Sequence, residues 1–107
     1  MDRRTRSNLL DMIQGDLASY QALVKDRTGP TWCGVALAHV MRMKTHAATH
    51  GDVELVAALE QLWDIPLTRE GFECVPRYAQ RPPGATKVAQ ASERIVKRIG
   101  ELRQRRR

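Results

Sequence analysis

The sequence predicts an all-α protein: a small bundle of three packed helices, joined by a proline-rich connector to a C-terminal helix that is amphipathic and basic. Three observations carry that expectation. Apolar residues recur at steps of three and four along the chain, the spacing of one helix face. The breaks between these runs hold glycine, proline and cap-forming side chains. Only Gly71–Val75 has the makings of a strand, and a lone strand has no partner. At 107 residues the chain has the length of one domain, able to bury a modest core without metal or disulfides. Aromatic residues are only 5% of the chain, so that core is expected to be built from Leu, Val, Ile, Ala and Met.

The first helix is expected over about 8–26. Leu9, Ile13, Leu17, Tyr20 and Val24 share one face, Ser7 suits the N-cap, and Thr28-Gly29-Pro30 ends the run. The second, about 32–49, has Thr31 as its candidate N-cap. Trp32, Cys33, Val35, Ala36, Leu37, Ala38, Val40, Met41 and Met43 surround it with apolar side chains, which predicts a central helix touching neighbours all round. Gly51 fits the C-terminal position and Asp52 the next N-cap. A third helix, about 53–63, is expected to bury Leu55, Val56, Leu59, Leu62 and Trp63. Pro66, Gly71, Pro76, Pro82, Pro83 and Gly84 then forbid a long helix. The fourth helix begins near Thr86 and carries the stripe Val88, Ala91, Ile95, Ile99 and Leu102. The chain accordingly divides into a helical body, 1–81, and a linker with a basic arm, 82–107.

Charge is distributed unevenly. The net charge is +6, yet residues 7–76 carry five basic and nine acidic side chains, a net of −4. Residues 77–107 carry ten basic and two acidic side chains, a net of +8, and Arg3, Arg4 and Arg6 outweigh Asp2 at the start. Fourteen of the eighteen cations are Arg, whose planar fork suits phosphate and carboxylate. No apolar run reaches the ~18–20 residues of a membrane span, and Asp11 and Asp16 stand where a signal peptide would be apolar. A cytoplasmic protein with reduced Cys33 and Cys74, without a membrane role, is expected.

Motifs for chemistry are weak. A helix-turn-helix centred on Gly51 would place His46, His50 and Asp52 where packing residues belong, and its second helix would carry Glu54 and Glu60 without a single Lys or Arg. Such a helix is repelled by phosphates. His46 and His50 have the i, i+4 spacing by which two imidazoles share a zinc ion, but His39 lies ~10 Å further along the axis and no second ligand pair accompanies them. No metal or other cofactor is therefore expected. Trp32-Cys33-Gly34 begins a Trp-Cys-Gly-x-Cys redox pattern, but Ala36 stands where the second thiol belongs. A cysteine hydrolase would need a His from a separate element, leaving a Cys33-dependent enzyme a distant third reading.

The basic arm is the main functional signal. The first expectation is a non-enzymatic regulatory or accessory protein that binds the phosphate backbone of nucleic acid. Arg94, Lys97, Arg98, Arg103, Arg105, Arg106 and Arg107 would make that contact, extended by Arg77 and Arg81 and by Arg3, Arg4 and Arg6. The alternative is a protein–protein module, such as a phage- or plasmid-type inhibitor docking on a host nucleic-acid-handling complex. There the apolar face Val88, Ile95, Ile99 and Leu102 would enter an acidic partner's groove or pair with a second copy in a homodimer. Both expectations turn on what covers Ile95 and Ile99.

Overall fold

Helix α1 (Arg3–Asp26), α2 (Trp32–His50), α3 (Val53–Trp63) and α4 (Gly84–Gln104) form an all-α bundle in the computed structural model, which describes residues 1–26, 32–64, 68–69, 73–74 and 82–105. Consecutive helices pack on one another, α1 on α2, α2 on α3 and α3 on α4, while α1 and α4 meet along the loosest of the four seams. None of the helices is long and apolar enough to cross a membrane among the described residues.

The first helix starts five residues earlier than the expected 8. The Asp2 side chain caps it by accepting a hydrogen bond from the Thr5 backbone N–H at 2.8 Å, so Ser7 is not the cap. That bond holds the Asp2 carboxyl below its ordinary pKa, and it draws Arg3, Arg4 and Arg6 into the helix. All five residues of the expected face, Leu9, Ile13, Leu17, Tyr20 and Val24, are buried, with Leu10 beside them. The second helix is not the all-round core helix its composition suggests. It buries a single stripe, Ala36, Val40, Met43 and Ala47, and leaves Val35 and Met41 exposed. Among the described residues α1 and α3 are the helices that pack closely on it, and a helix touching two neighbours buries one face. The Thr31 cap, the side chains of Trp32 and Cys33, and Thr28-Gly29-Pro30 lie outside the described residues.

The α2–α3 turn follows from two residues. Gly51 takes φ +86°, a left-handed conformation costly for any other residue, and its N–H closes onto the Ala47 carbonyl at 3.0 Å. Asp52 then caps α3, accepting from the Leu55 N–H at 2.9 Å. Leu55, Ala58, Leu59 and Leu62 face the core, while Val56 and Trp63 are only partly buried. Lys44 of α2 sits 5.1 Å over the Trp63 ring, tying the two helices at their flank. In the connector Glu73–Cys74 is indeed extended, and it has the partner the sequence did not reveal: Thr68–Arg69, paired antiparallel with Thr68 opposite Cys74. The rest of 65–81 lies outside the described residues.

The fourth helix closes the bundle. Val88, Ala91, Ile95, Ile99 and Leu102 belong to the same core cluster as Leu17 and Leu59. Ile95 and Ile99 have no solvent exposure at all. What covers them is the protein's own body.

Candidate polyanion interface

The residues expected to bind nucleic acid or a partner are divided by the fold into three groups. The apolar stripe Val88, Ile95, Ile99 and Leu102 is buried in the core, with Val88 at its edge lining a hollow between α1 and α4. Arg98 is also withdrawn: its side chain is only 8% exposed. Its Nε and Nη2 donate to the two Asp52 carboxylate oxygens at 2.8 and 2.6 Å, and its Nη1 lies 3.3 Å from Glu54. This bidentate bond holds the Asp52 carboxyl below its usual pKa and strengthens the hold of Arg98 on its proton. One carboxylate thus caps α3 and clasps α4 across 46 residues of sequence, a pairing that no local spacing could announce.

Arg94 and Lys97 remain on the exposed side of α4. Arg94 donates to Gln61 of α3 at 3.1 Å, while Lys97 lies on the side of α4 that faces α1. Arg103 is half-buried, donating to Asp11 and Gln14 of α1 at 2.7 and 2.6 Å. Arg105 follows as the exposed C-cap of α4. Arg77, Arg81, Arg106 and Arg107 lie outside the described residues.

The bonds from Arg103 set the direction of the two outer helices. Asp11 and Gln14 meet the end of α4, whereas Gln21 and Lys25 face its beginning around Ala85 and Ala89, so α1 and α4 run antiparallel. The start of α1 and the end of α4 consequently share one end of the bundle. Arg6 lies five residues before Asp11, ~7 Å of helical rise, and Arg105 two residues beyond Arg103, ~3 Å, both toward that end. Arg3, Arg4, Arg6 and Arg105 are all exposed there. Arg4, Arg6 and Arg105 have no ion-pair partner among the described residues.

The charge at this pole is concentrated. Among the described residues, 1–6 carry three arginines against Asp2, a net of +2, and 101–105 carry Arg103 and Arg105 against Glu101, a net of +1. In sequence, the two ends 1–6 and 101–107 carry +5 of the chain's +6, and Arg106 and Arg107 of that sum lie outside the described residues. Both basic ends are visible in the sequence, but nearly the whole chain separates them and no local pattern joins them.

His46 and His50 are half-buried on α2, and no group of three or more His, Cys, Asp or Glu side chains is placed to hold a metal among the described residues. His39 is engaged elsewhere, its Nδ1 2.8 Å from the buried Asp16 carboxylate of α1, whose second oxygen lies 3.7 Å from Arg42. The Cys33 side chain lies outside the described residues. Comparison with known proteins returns no match: no family model, no curated protein and no solved structure matches the chain.

Proposed function

We propose that this protein is a small non-enzymatic accessory or regulatory protein that binds the phosphate backbone of nucleic acid through its basic pole. The single observation behind the reading is the antiparallel placement of α1 and α4, which brings the exposed Arg3, Arg4, Arg6 and Arg105 to one end of the bundle. Arginines there contact phosphates bidentately and release counterions, which gives affinity with a steep dependence on salt. No recognition helix lies among them, so the reading implies little discrimination between base sequences. The contact set shifts from the one the sequence suggests. Arg98 leaves it, Arg103 is shared with Asp11, and Arg4, Arg6 and Arg105 become its centre.

Fluorescence anisotropy with a duplex of ~30 base pairs, repeated across salt concentrations, tests this. Full-length protein is expected to bind at low salt, with log affinity falling by ~0.9 per phosphate neutralised for each unit of log salt. Replacing Arg4, Arg6 and Arg105 together by Gln is expected to weaken binding by at least about tenfold and to make the slope shallower by ~2–3. The melting temperature should hardly change, because exposed unpaired side chains contribute little to folding. Absence of binding by the wild type even at ~20 mM salt, or a triple variant that binds as well as wild type, would sink the proposal.

A further inference from the structure

A second surface lies away from the pole, on the loose seam between α1 and α4. Two hollows of about 280 and 440 Å³ share Gln21, Ala89 and Ser92 and form one groove open to solvent along its length. The groove runs beside α4 from Ala85 to Lys97, twelve residues or ~18 Å. Its floor on α4 is made of small side chains: Ala85, Ala89 and Ser92 step by four and three, alongside the stripe that enters the core. Val96, 51% exposed, continues the floor, and Val24 of α1 forms the opposite wall.

Ser92 gives this groove more than shape. Its side chain is 97% buried, with 3% exposure, yet its hydroxyl has no hydrogen-bond partner among the described residues. Buried hydroxyls are nearly always bonded, and this one, covered and unpartnered beneath the groove's lining, marks the point where an occupant could supply a donor or acceptor. The ends of the groove indicate the charge of that occupant. Lys25 stands at one end and Lys97 at the other, neither with an ion-pair partner among the described residues, and Glu93 is the one anion along the lining.

We infer that the groove is a docking site for an acidic amphipathic helix of a different protein. Small floor residues let a helix backbone approach closely, and a helix of about 12 residues spans the distance between the two lysines. A second copy of this chain fits poorly, because a twofold contact here would set Lys25 and Lys97 against the same lysines of its mate. An alkyl chain of an anionic amphiphile would be left half in water by so open a groove. Nucleic acid would meet an apolar floor and Glu93. The site is separate from the basic pole, so the two proposals stand or fall independently.

The test uses three stapled helical peptides of ~18 residues with a common Ala/Leu stripe, flanked at both ends by Glu, Gln or Lys, and titrated against the full chain by fluorescence anisotropy. The Glu-flanked peptide is expected to bind at least about tenfold more tightly than the Gln-flanked one, with the Lys-flanked peptide weakest. Ala89→Arg, which fills the groove at an exposed position, should weaken that binding by at least about tenfold. Lys25→Glu with Lys97→Glu should reverse the order of the Glu and Lys peptides, and this surface pair keeps the test decisive if Ala89→Arg does not fold. Equal binding of all three peptides, or none by any, overturns the inference. So does a wild-type dimer in sedimentation that Ala89→Arg converts to monomer, which would assign the groove to a second copy. Saturable dodecanoate binding without peptide binding overturns it in favour of an anionic amphiphile.

Discussion

Midway along α4 the Arg98 guanidinium is closed in by Asp52 and Glu54, whereas two turns further on Arg105 stands in solvent near the arginines that open α1. The two residues have the same chemistry and lie on the same helix, but the fold gives them unlike work. Arg98 satisfies a capping carboxylate and fixes α4 to the start of α3. Arg105 adds charge to an exposed end of the bundle that it shares with Arg3, Arg4 and Arg6. The lesson is that an arginine count measures neither stability nor binding until each guanidinium's partner is known. The contrast can be broken or sharpened by substitution.

The largest effect is expected in the core, on the buried face of the helix that carries Arg98. Ile99→Asp places a carboxylate where there is no solvent exposure, and the protein should fail to fold, seen as loss of cooperative melting by circular dichroism. A polar change here abolishes folding and not merely a contact with a partner.

Next comes the clasp. Arg98→Ala should cost about 3 kcal/mol in chemical denaturation, because it strands Asp52 against α3 with its cap intact but its cation gone. The same pair predicts a dependence on pH. The folded-state pKa of Asp52 lies below the ordinary 3.8, so its contribution is complete above that value and disappears as pH falls through the folded value. The stability gap between wild type and Asp52→Asn should accordingly be widest near neutrality and narrow below about pH 4. A gap that stays constant down to about pH 2 would show that the ion pair is not its source.

Smaller effects come from the polar groups buried between α1 and α2. His39→Ala removes the partner 2.8 Å from Asp16 and should cost about 1–2 kcal/mol in urea denaturation. Tyr20 is fully buried and its hydroxyl has no hydrogen-bond partner among the described residues. Burial also pushes the phenol's pKa well above its ordinary value. Tyr20→Phe should therefore leave stability unchanged or raise it by up to about 1 kcal/mol, read from the denaturation midpoint. At the far end of the scale, the Gln substitutions at Arg4, Arg6 and Arg105 should move stability by less than about 0.5 kcal/mol while altering polyanion binding.

Much of the fold was legible because helix faces repeat locally. The periodicity of Leu9 to Val24 and of Val88 to Leu102 marked buried residues correctly, and Gly51-Asp52 marked a turn, since capping and left-handed glycine are decided within a few residues. The second helix misled because its composition is apolar on every side, and how many sides are covered depends on how many neighbours arrive. The α1 boundary was missed because Ser7 and Asp2 are both good caps, and the earlier one wins when the residues between them can continue the helix.

The sequence by itself determined the helical class, the core stripes and the presence of two basic ends, all of which rest on patterns a few residues long. Only the tertiary structure decided that Asp52 meets Arg98, that Ile95 and Ile99 are covered from within, and that the two basic ends adjoin. The reason is physical. Hydrophobic spacing specifies which face of a helix is buried, but not which helix buries it. The direction and pairing of α1 and α4 are properties of the packed bundle, and the basic pole and the Ser92 groove exist only once those two helices lie side by side.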